Sequence, residues 1–300
     1  MTGTPSGDGP EGTGCASLGG VPDPLRDPED PELLDETRAR RLAELVETCR
    51  LASGAVRYGR IGRVGCARVV VNPYDPLPGG NHACALDGTP AEVGATLLRL
   101  EQTFADVGRA EAVVYASPTT VEEIDGIADD AGWQAAEELV AVVCRGEPAP
   151  ADRWTGPAPR PAQDADLPAV TALLGDELGL PWGGGPKLIR HLGHRLDDPR
   201  CLLLVVDDPG LFRPAGVLSG FVDRGIGLVE QVVVRAGRRR HGLGAALVAE
   251  AVRRLREAGA LVVAGYVAEG GSEERFAEHC GFRGAYPVVT YVRRVDELLD

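Results

Sequence analysis

Apolar and polar positions alternate along the second half of the chain in patterns that separate strands from helices. The run 232–234 is β-branched and apolar, which is typical of a buried strand. After a polar turn, apolar residues recur every three or four positions and predict one amphipathic helix. These residues are Leu243, Leu247, Val248, Ala251, Val252 and Leu255. A second buried-type strand at 261–267 completes a β-loop-α-β unit, which packs on a sheet.

The same patterns extend this unit in both directions. A polar turn at 160–167 with an Asp cap leads into an apolar helix, and 202–206 and 215–222 have the pattern of strands. Further on, 275–282 has the pattern of a helix that ends at a Gly-Phe corner, and a final strand spans 287–293. The second half therefore predicts helices and strands in alternation around one sheet.

The first half shows a similar alternation. Helical periodicity covers 39–52, 90–107 and 121–131, and strand patterns cover 67–72, 112–116 and 139–144. The pair Gly132-Trp133 before the last strand parallels Gly281-Phe282 before the final strand of the second half. Where the second half has its glycine turn, the first half has only a plain helix start at 87–90.

The polar turn at 235–244 combines arginines with glycines at a helix start. The first four N–H groups of a helix lack intrahelical partners, and the helix dipole adds positive charge there, so the turn suits a phosphate. Gly242 and Gly244 allow ligand oxygens to approach the backbone. A dinucleotide fingerprint would need a third glycine where Leu247 stands, and a P-loop would need a lysine, whereas the chain has only Lys187.

The pattern Arg239-x-x-Gly242-x-Gly244, together with the Gly281-Phe282 corner, resembles the GNAT superfamily of acyl-CoA-dependent N-acetyltransferases. The resemblance spans about 160–294 and implies an α/β fold with a mixed sheet flanked by helices. The parallel in the first half suggests two such domains in tandem, with a degenerate first copy. Another small α/β domain is the alternative for the first half.

The resemblance implies acetyl-CoA as co-substrate, a small-molecule amine as acceptor and no metal. The positions that would hold acetyl-CoA are Val232, Val233, Val234, Arg239, Arg240, His241, Gly242, Leu243 and Gly244. Trp182, beside the glycine run 183–185, is a candidate for the acceptor pocket on a mobile loop. An ordinary loop with a core-anchoring tryptophan is the alternative.

Glu230 is the candidate general base, because a carboxylate stands at the start of an otherwise apolar strand segment. Strand alternation predicts that its side chain shares a face with Val232 and Val234, and that Gln231 faces the opposite side. The alternative is that Glu230 faces solvent or pairs with a nearby arginine.

The acid that protonates the leaving thiolate is less well marked. Family members often place a tyrosine four residues before the Gly of the Gly-Phe corner, where this chain has Ala277. His279, Tyr266 and Tyr291 are other candidates. These departures keep two alternatives open: a CoA-binding regulatory or scaffold protein without turnover, and a GNAT-like fold adapted to other acyl-CoA chemistry.

The composition of successive segments predicts where the domains of the chain begin and end. Residues 1–36 hold nine acids and one arginine among many Gly and Pro, and are predicted to be a disordered tail. The degenerate domain is predicted at 37–146, a Pro-rich and Ala-rich linker at 147–160, and the catalytic domain at 161–300.

A net charge of −14 argues against nucleic-acid binding, and no apolar run is long enough to span a membrane. Seven scattered cysteines without C-x-x-C pairs favour reduced thiols in a cytoplasm. Thirty arginines against one lysine suggest a high-GC bacterial gene. A monomer or a homodimer is expected, since a tandem pair can replace the dimer of single-domain relatives.

Overall fold

The computed structural model describes residues 34–180, 185–208, 210 and 213–296. Within these ranges, strands and helices form a mixed α/β structure around one eleven-stranded sheet. Most of the predicted tail and the candidate pocket residue Trp182 lie outside the described residues.

The first half provides three helices and five strands. They are α1 (Glu36–Gly54), β1 (Arg60–Val64), β2 (Ala67–Val71), β3 (Asn81–Cys84), α2 (Pro90–Asp106), β4 (Glu111–Ala116), α3 (Ile124–Asp130) and β5 (Gln134–Cys144). Helix α2 begins where Pro90 and the cap residue Thr89 predict it, because the Thr89 and Glu92 side chains form a reciprocal capping box. Strands β1 and β3 were not predicted, because β1 is mostly exposed and contains two arginines, and β3 begins with the polar residues Asn81 and His82.

The second half provides four helices and six strands. They are β6 (Arg160–Pro161), α4 (Leu167–Leu178), α5 (Gly185–Leu196), β7 (Cys201–Asp208), β8 (Arg213–Asp223), β9 (Ile226–Val234), α6 (Leu243–Glu257), β10 (Val262–Ala268), α7 (Ser272–His279) and β11 (Arg283–Arg294). Helix α5 was not predicted, because polar residues share its buried face with Leu188 and Leu192.

The two halves exchange their last strands. The order across the sheet is β1-β2-β3-β4-β11-β5-β10-β9-β8-β7-β6. Strand β5 ends the first half but pairs antiparallel with β10, and β11 ends the second half but pairs antiparallel with β4. The two exchanged strands also pair with each other along most of their length. The predicted linker at 147–160 therefore joins two halves that share one continuous sheet.

Alternate residues along the strands divide between two layers of helices. Val217 and Val233 pack with α4 and α5, whereas Val232 and Val234 pack with α6. In the first half Val70 packs with α1, and α2 packs on the opposite face of the same strands. Among the helices that the structure describes, none is both long and apolar enough to cross a bilayer.

Candidate active site

A groove opens where β9 and β10 separate. The two strands pair in parallel only between Ile226–Leu228 and Val262–Ala264. Beyond these positions β9 stays with β8 while β10 continues along β5, so one backbone edge of β9 has no strand beside it. The groove has a volume of about 300 Å³ and is mostly apolar, with Val232 and Val233 along one side and Phe276 and Phe282 along another.

The glycine turn at the end of β9 exposes a row of backbone donors. Among the described residues, none accepts a hydrogen bond from the N–H groups of 240–245, and the first helical bond runs from Ala246 to the Gly242 carbonyl at 3.0 Å. Gly242 has a φ of +85° and Arg240 a φ of +66°, which directs successive N–H groups outward. Free donors at a helix N-terminus form a site for an anion.

The arginines of the turn differ in whether they form ion pairs. Arg238 forms an ion pair with the buried Asp208 at 2.6 Å, and Arg239 forms one with Glu177 at 2.5 Å. Arg240 is exposed and has no ion-pair partner within the described part of the chain. Of the arginines at 238–240, Arg240 is therefore the one whose charge is not already balanced by a carboxylate.

The linker between the halves lies against this turn. The Ala149 amide donates to the Cys280 carbonyl at 3.1 Å, and Trp154 packs on the core beneath α6. A Cβ built on Gly242 would lie 2.8 Å from Cβ of Arg153. Glycine is therefore required at 242 by close approach of the linker as well as by its positive φ.

Glu230 occupies a β-bulge. Ser219 pairs with Gln231 while Gly220 pairs with Val229, so Glu230 is an extra residue between two register positions. The prediction that Glu230 shares a face with Val232 and Val234 is wrong, because a bulge shifts the alternation by one residue. Its side chain instead reaches the face covered by α1 and α5, and Gln231 lines both the groove and that face.

Two helices bind the Glu230 carboxylate. Oε2 forms an ion pair with Arg195 on α5, and Oε1 accepts a hydrogen bond from the Ser53 hydroxyl on α1. Arg195 also donates to the Ser53 hydroxyl at 3.0 Å and to the Gly220 carbonyl at 3.4 Å. The pairing of Glu230 with an arginine was the alternative expectation from the sequence.

A polar cavity of about 400 Å³ lies on this side of the sheet and is lined by both halves of the chain. Polar and apolar side chains share its wall. The polar ones from the first half are Arg50, Ser53, Asp75, His82, Tyr115 and Glu137, and those from the second are His191, Arg195, Ser219, Glu230, Gln231, Tyr266 and Glu273. Glu230, Gln231, Tyr266 and Glu273 line both the cavity and the groove, so the two spaces adjoin at these residues.

The ionisable groups of the cavity are strongly affected by burial. Burial, with the charge of Arg50, lowers the pKa of His82 to about 3, and burial with the charge of Arg195 lowers that of His191 to about 3. Burial raises the pKa of Asp75 to about 7. Both histidines are therefore neutral at neutral pH, and the 3.4 Å contact between His191 and Asp75 is not an ion pair.

Of the residues considered as leaving-group acids, Tyr266 lies where the groove and cavity adjoin. Its hydroxyl is buried, and its pKa is raised by burial. The Tyr286 hydroxyl is near enough to influence that pKa, but the described residues offer the Tyr266 hydroxyl no partner in hydrogen-bond geometry. Ala277 lines the groove without a polar group, and Tyr291 instead donates to Asp125 in the first half.

The first-half residues of the cavity were not predicted from the sequence. One signal was present, because Arg50 follows Val46 by four positions and so falls on the buried side of α1. An arginine on the apolar side of a helix indicates a buried charge with a specific purpose. Ser53 lies one turn further along the same side and reaches Glu230.

Comparison with known proteins agrees with this architecture. The sequence profile of the acetyltransferase (GNAT) family matches residues 167–282, which include the glycine turn, Glu230 and the Gly281-Phe282 corner. No curated protein matches the chain in sequence.

Solved structures share the fold along most of the chain. A GCN5-related N-acetyltransferase from Kribbella flavida is 18% identical with a TM-score of 0.62, over 85% of this chain and 95% of that one. One from Sphaerobacter thermophilus is 17% identical with a TM-score of 0.56, over 88% and 97%. A tandem GNAT protein from the clavulanic acid biosynthesis pathway is 14% identical with a TM-score of 0.54, over 88% and 97%. At these identities the similarity establishes the fold.

Proposed function

We propose that this chain, which carries an acetyltransferase domain of the GNAT family at 167–282, moves an acetyl group from acetyl-CoA to the amino group of a small molecule. The observation that carries the proposal is that an apolar groove with free backbone donors at one end adjoins a polar cavity at Glu230. A bisubstrate reaction needs two such sites that meet at the reacting atoms.

The groove and turn have the properties that acetyl-CoA requires. The N–H groups of 240–245 and the side chain of Arg240 would bind the pyrophosphate, and the unpaired edge of β9 would bind the pantetheine. Leu243 is buried beneath the turn, and His241 is exposed and bonded to the Arg239 carbonyl at 2.7 Å. Acetyl-CoA supplies the activated thioester, and the protein supplies position and proton transfer.

The residues where the two spaces adjoin can perform the proton transfers. In direct transfer the amine nitrogen forms a bond to the thioester carbon, and the carbon–sulfur bond breaks. Glu230 would accept the amine proton, directly or through a water, while Ser53 and Arg195 hold its carboxylate in position. Tyr266 would protonate the leaving sulfur, because its side chain lines both the groove and the cavity where they adjoin.

The first half would act as a structural partner that completes the acceptor site. It has no glycine turn, in keeping with a degenerate GNAT-like domain at 37–146 beside the catalytic domain at 161–300. It nevertheless provides Arg50, Ser53 and Tyr115 to the cavity wall. A single chain would thus contain the whole site, whether the protein is a monomer or a homodimer.

Calorimetric titration with acetyl-CoA, followed by an amine panel with thiol detection, tests the proposal. We expect micromolar binding of acetyl-CoA and acetyl-CoA-dependent release of thiol with at least one amine. The Gly242→Asp variant should bind neither acetyl-CoA nor CoA, because its side chain would displace the linker at Arg153 and its carboxylate would repel an anion at the turn. Normal affinity in that variant would overturn the assignment of the turn.

A CoA-binding protein without turnover is the second candidate. It is favoured by Ala277, which leaves the family's usual acid position without a polar group, and by the ion pair that already engages Glu230. Binding of acetyl-CoA without thiol release across amines, amino acids and short peptides would support this candidate over the first.

A further inference from the structure

Of the two arginines that line the cavity, Arg50 is the one without a carboxylate in contact among the described residues. It projects from α1, and its guanidinium carbon lies 4.5 Å from the ring centroid of Tyr115 and 4.3 Å from that of Tyr266. The two ring centroids are 6.1 Å apart. Cation–π contact with two rings fixes the plane of the guanidinium and so restricts the direction of its N–H groups.

The donors of Arg50 are not used by the described part of the protein. No hydrogen bond or ion pair of its guanidinium occurs among residues 34–180, 185–208, 210 and 213–296, although the side chain lines the cavity. Arg195, in contrast, is paired with Glu230 and Ser53 in the same cavity. Arg50 is half-buried, and burying an arginine without an anion in contact costs free energy, which favours an anionic ligand group beside it.

The carboxylates near Arg50 act on it only from a distance. Glu230 pairs with Arg195, and the buried Glu47 accepts hydrogen bonds from Ser117 and Thr119 rather than from Arg50. Asp75, Glu137 and Glu273 also line the cavity, and none of them forms an ion pair with Arg50 among the described residues. A ligand carboxylate would therefore be the first anionic group in direct contact with this guanidinium.

We infer that Arg50 binds a carboxylate of the acceptor, and that the acceptor is an amino-acid-like molecule whose amine lies toward Glu230. A planar guanidinium held against two adjacent rings presents a fork of donors, which matches the two oxygens of a carboxylate. The inference rests on the proposed function for the role of the amine. The binding of the carboxylate depends only on the cavity.

Matched pairs of acceptors test the inference. Each pair consists of an amino acid and its decarboxylated amine, which lacks any carboxylate: lysine with cadaverine, phenylalanine with phenethylamine, and tryptophan with tryptamine. We expect the wild-type protein to favour the α-carboxylated member in at least one pair. Arg50→Met should lower kcat/KM for that member by about 10- to 100-fold, the range for a hydrogen bond to a charged group, and change the decarboxylated member little.

Two further variants separate recognition from structure. Arg50→Lys keeps the charge but loses the fork, so we expect an intermediate loss confined to the carboxylated member. Arg57→Met is the matched control, because Arg57 lies 5.8 Å from the Tyr58 ring but its side chain is 48% exposed and outside the cavity. It should leave the preference unchanged. Equal losses for both members with Arg50→Met would indicate a structural role and overturn the inference.

Direct binding distinguishes this inference from the proposed function. Calorimetric titration of the CoA-loaded and CoA-free protein with each amino acid and amine needs no turnover. Carboxylate-dependent binding that Arg50→Met abolishes, without thiol release, would support the Arg50 site while contradicting acetyl transfer. Equal acetylation of amines with and without a carboxylate would support acetyl transfer while contradicting the Arg50 site. A preference for phosphoethanolamine over both ethanolamine and the amino acids would overturn the carboxylate assignment in favour of a phosphate.

Discussion

Arg195 and Glu230 form an ion pair in the wall between the polar cavity and the apolar groove. Arg195 lies on α5, and Glu230 is the bulged residue of β9. The Ser53 hydroxyl, from the other half of the chain, binds the second carboxylate oxygen. Glu230 is thus held at both oxygens, one by each half of the protein, at the point where an amine and a thioester would meet.

The Glu230→Gln variant should lose turnover while keeping its affinity for acetyl-CoA. An amide cannot accept the amine proton, and general bases contribute about 10²- to 10⁴-fold to rates. Steady-state kinetics at pH 7.5, with calorimetry for acetyl-CoA, provide the measurement. Glu273→Gln is the control, because Glu273 also lines both spaces but is exposed and forms no ion pair with Arg195. A wild-type rate in Glu230→Gln would remove the base role.

Tyr266→Phe should lower kcat by about 100-fold, at the low end of the range for general acid–base catalysis, because thiolates are good leaving groups. The side chain would keep its packing and its contact with Arg50. Tyr291→Phe is the control, since Tyr291 is also a buried strand residue but donates to Asp125 and lines neither the groove nor the cavity. Comparable rates in the two variants would show that Tyr266 does not protonate the thiolate.

Gly242→Ala should weaken both the fold and the binding of CoA. A residue with a side chain at φ +85° is strained by about 1–2 kcal/mol, and its Cβ would press on Arg153 of the linker. Gly237→Ala serves as the control in the same turn, because a Cβ there meets no atom within 4 Å. Thermal unfolding without CoA measures the Tm of each variant, and the increase in Tm with CoA concentration gives the Kd. Equal Tm and Kd for the two variants would contradict the linker contact.

Acidification should unfold the protein through its buried histidines. The pKa values of His82 and His191 are lowered to about 3 by burial, from about 6.5 in an unfolded chain. Their contribution to stability is therefore complete above pH 6.5 and is lost as the pH falls toward 3. Each histidine adds a slope of about 1.4 kcal/mol per pH unit in that window.

Asp75 gives the stability of the protein the opposite dependence on pH. Its pKa is raised to about 7, so its contribution is complete below about pH 4 and is lost as the pH rises through 7. Urea unfolding from pH 4 to 8 measures the free energy of unfolding, which contains the contributions of both histidines and Asp75. We expect His82→Asn to flatten the acid slope and the exposed His279→Asn to leave it unchanged. An unaltered slope in His82→Asn would show that His82 is not buried in its neutral form.

Local patterns predicted the second half well. The apolar stripe from Leu243 to Leu255 became α6, and the glycine turn lies at its N-terminus with free donors. The family resemblance and the α/β class are confirmed by the profile match and by structures of the same fold. These features depend on residues close together in the chain, which periodicity and turn chemistry describe directly.

The errors came from interactions between distant residues. A bulge depends on the partner strand, so nothing within 226–234 indicated that Glu230 would change faces. Helix α5 was not predicted from the sequence, because its buried face includes the polar residues His191 and Arg195. The contribution of Arg50 and Ser53 could not be predicted, since it requires α1 to lie against strands about 180 residues later, as the Ser53–Glu230 bond shows.

The exchange of β5 and β11 has a consequence for how the chain is made. When the ribosome has released only the first half, β4 has no antiparallel neighbour, because that place is filled by residues 289–294. Its open edge and the unpaired β5 are surfaces prone to association with other nascent chains. The sheet closes only after translation reaches β11, so this protein should fold late and slowly, with a need for chaperones during synthesis.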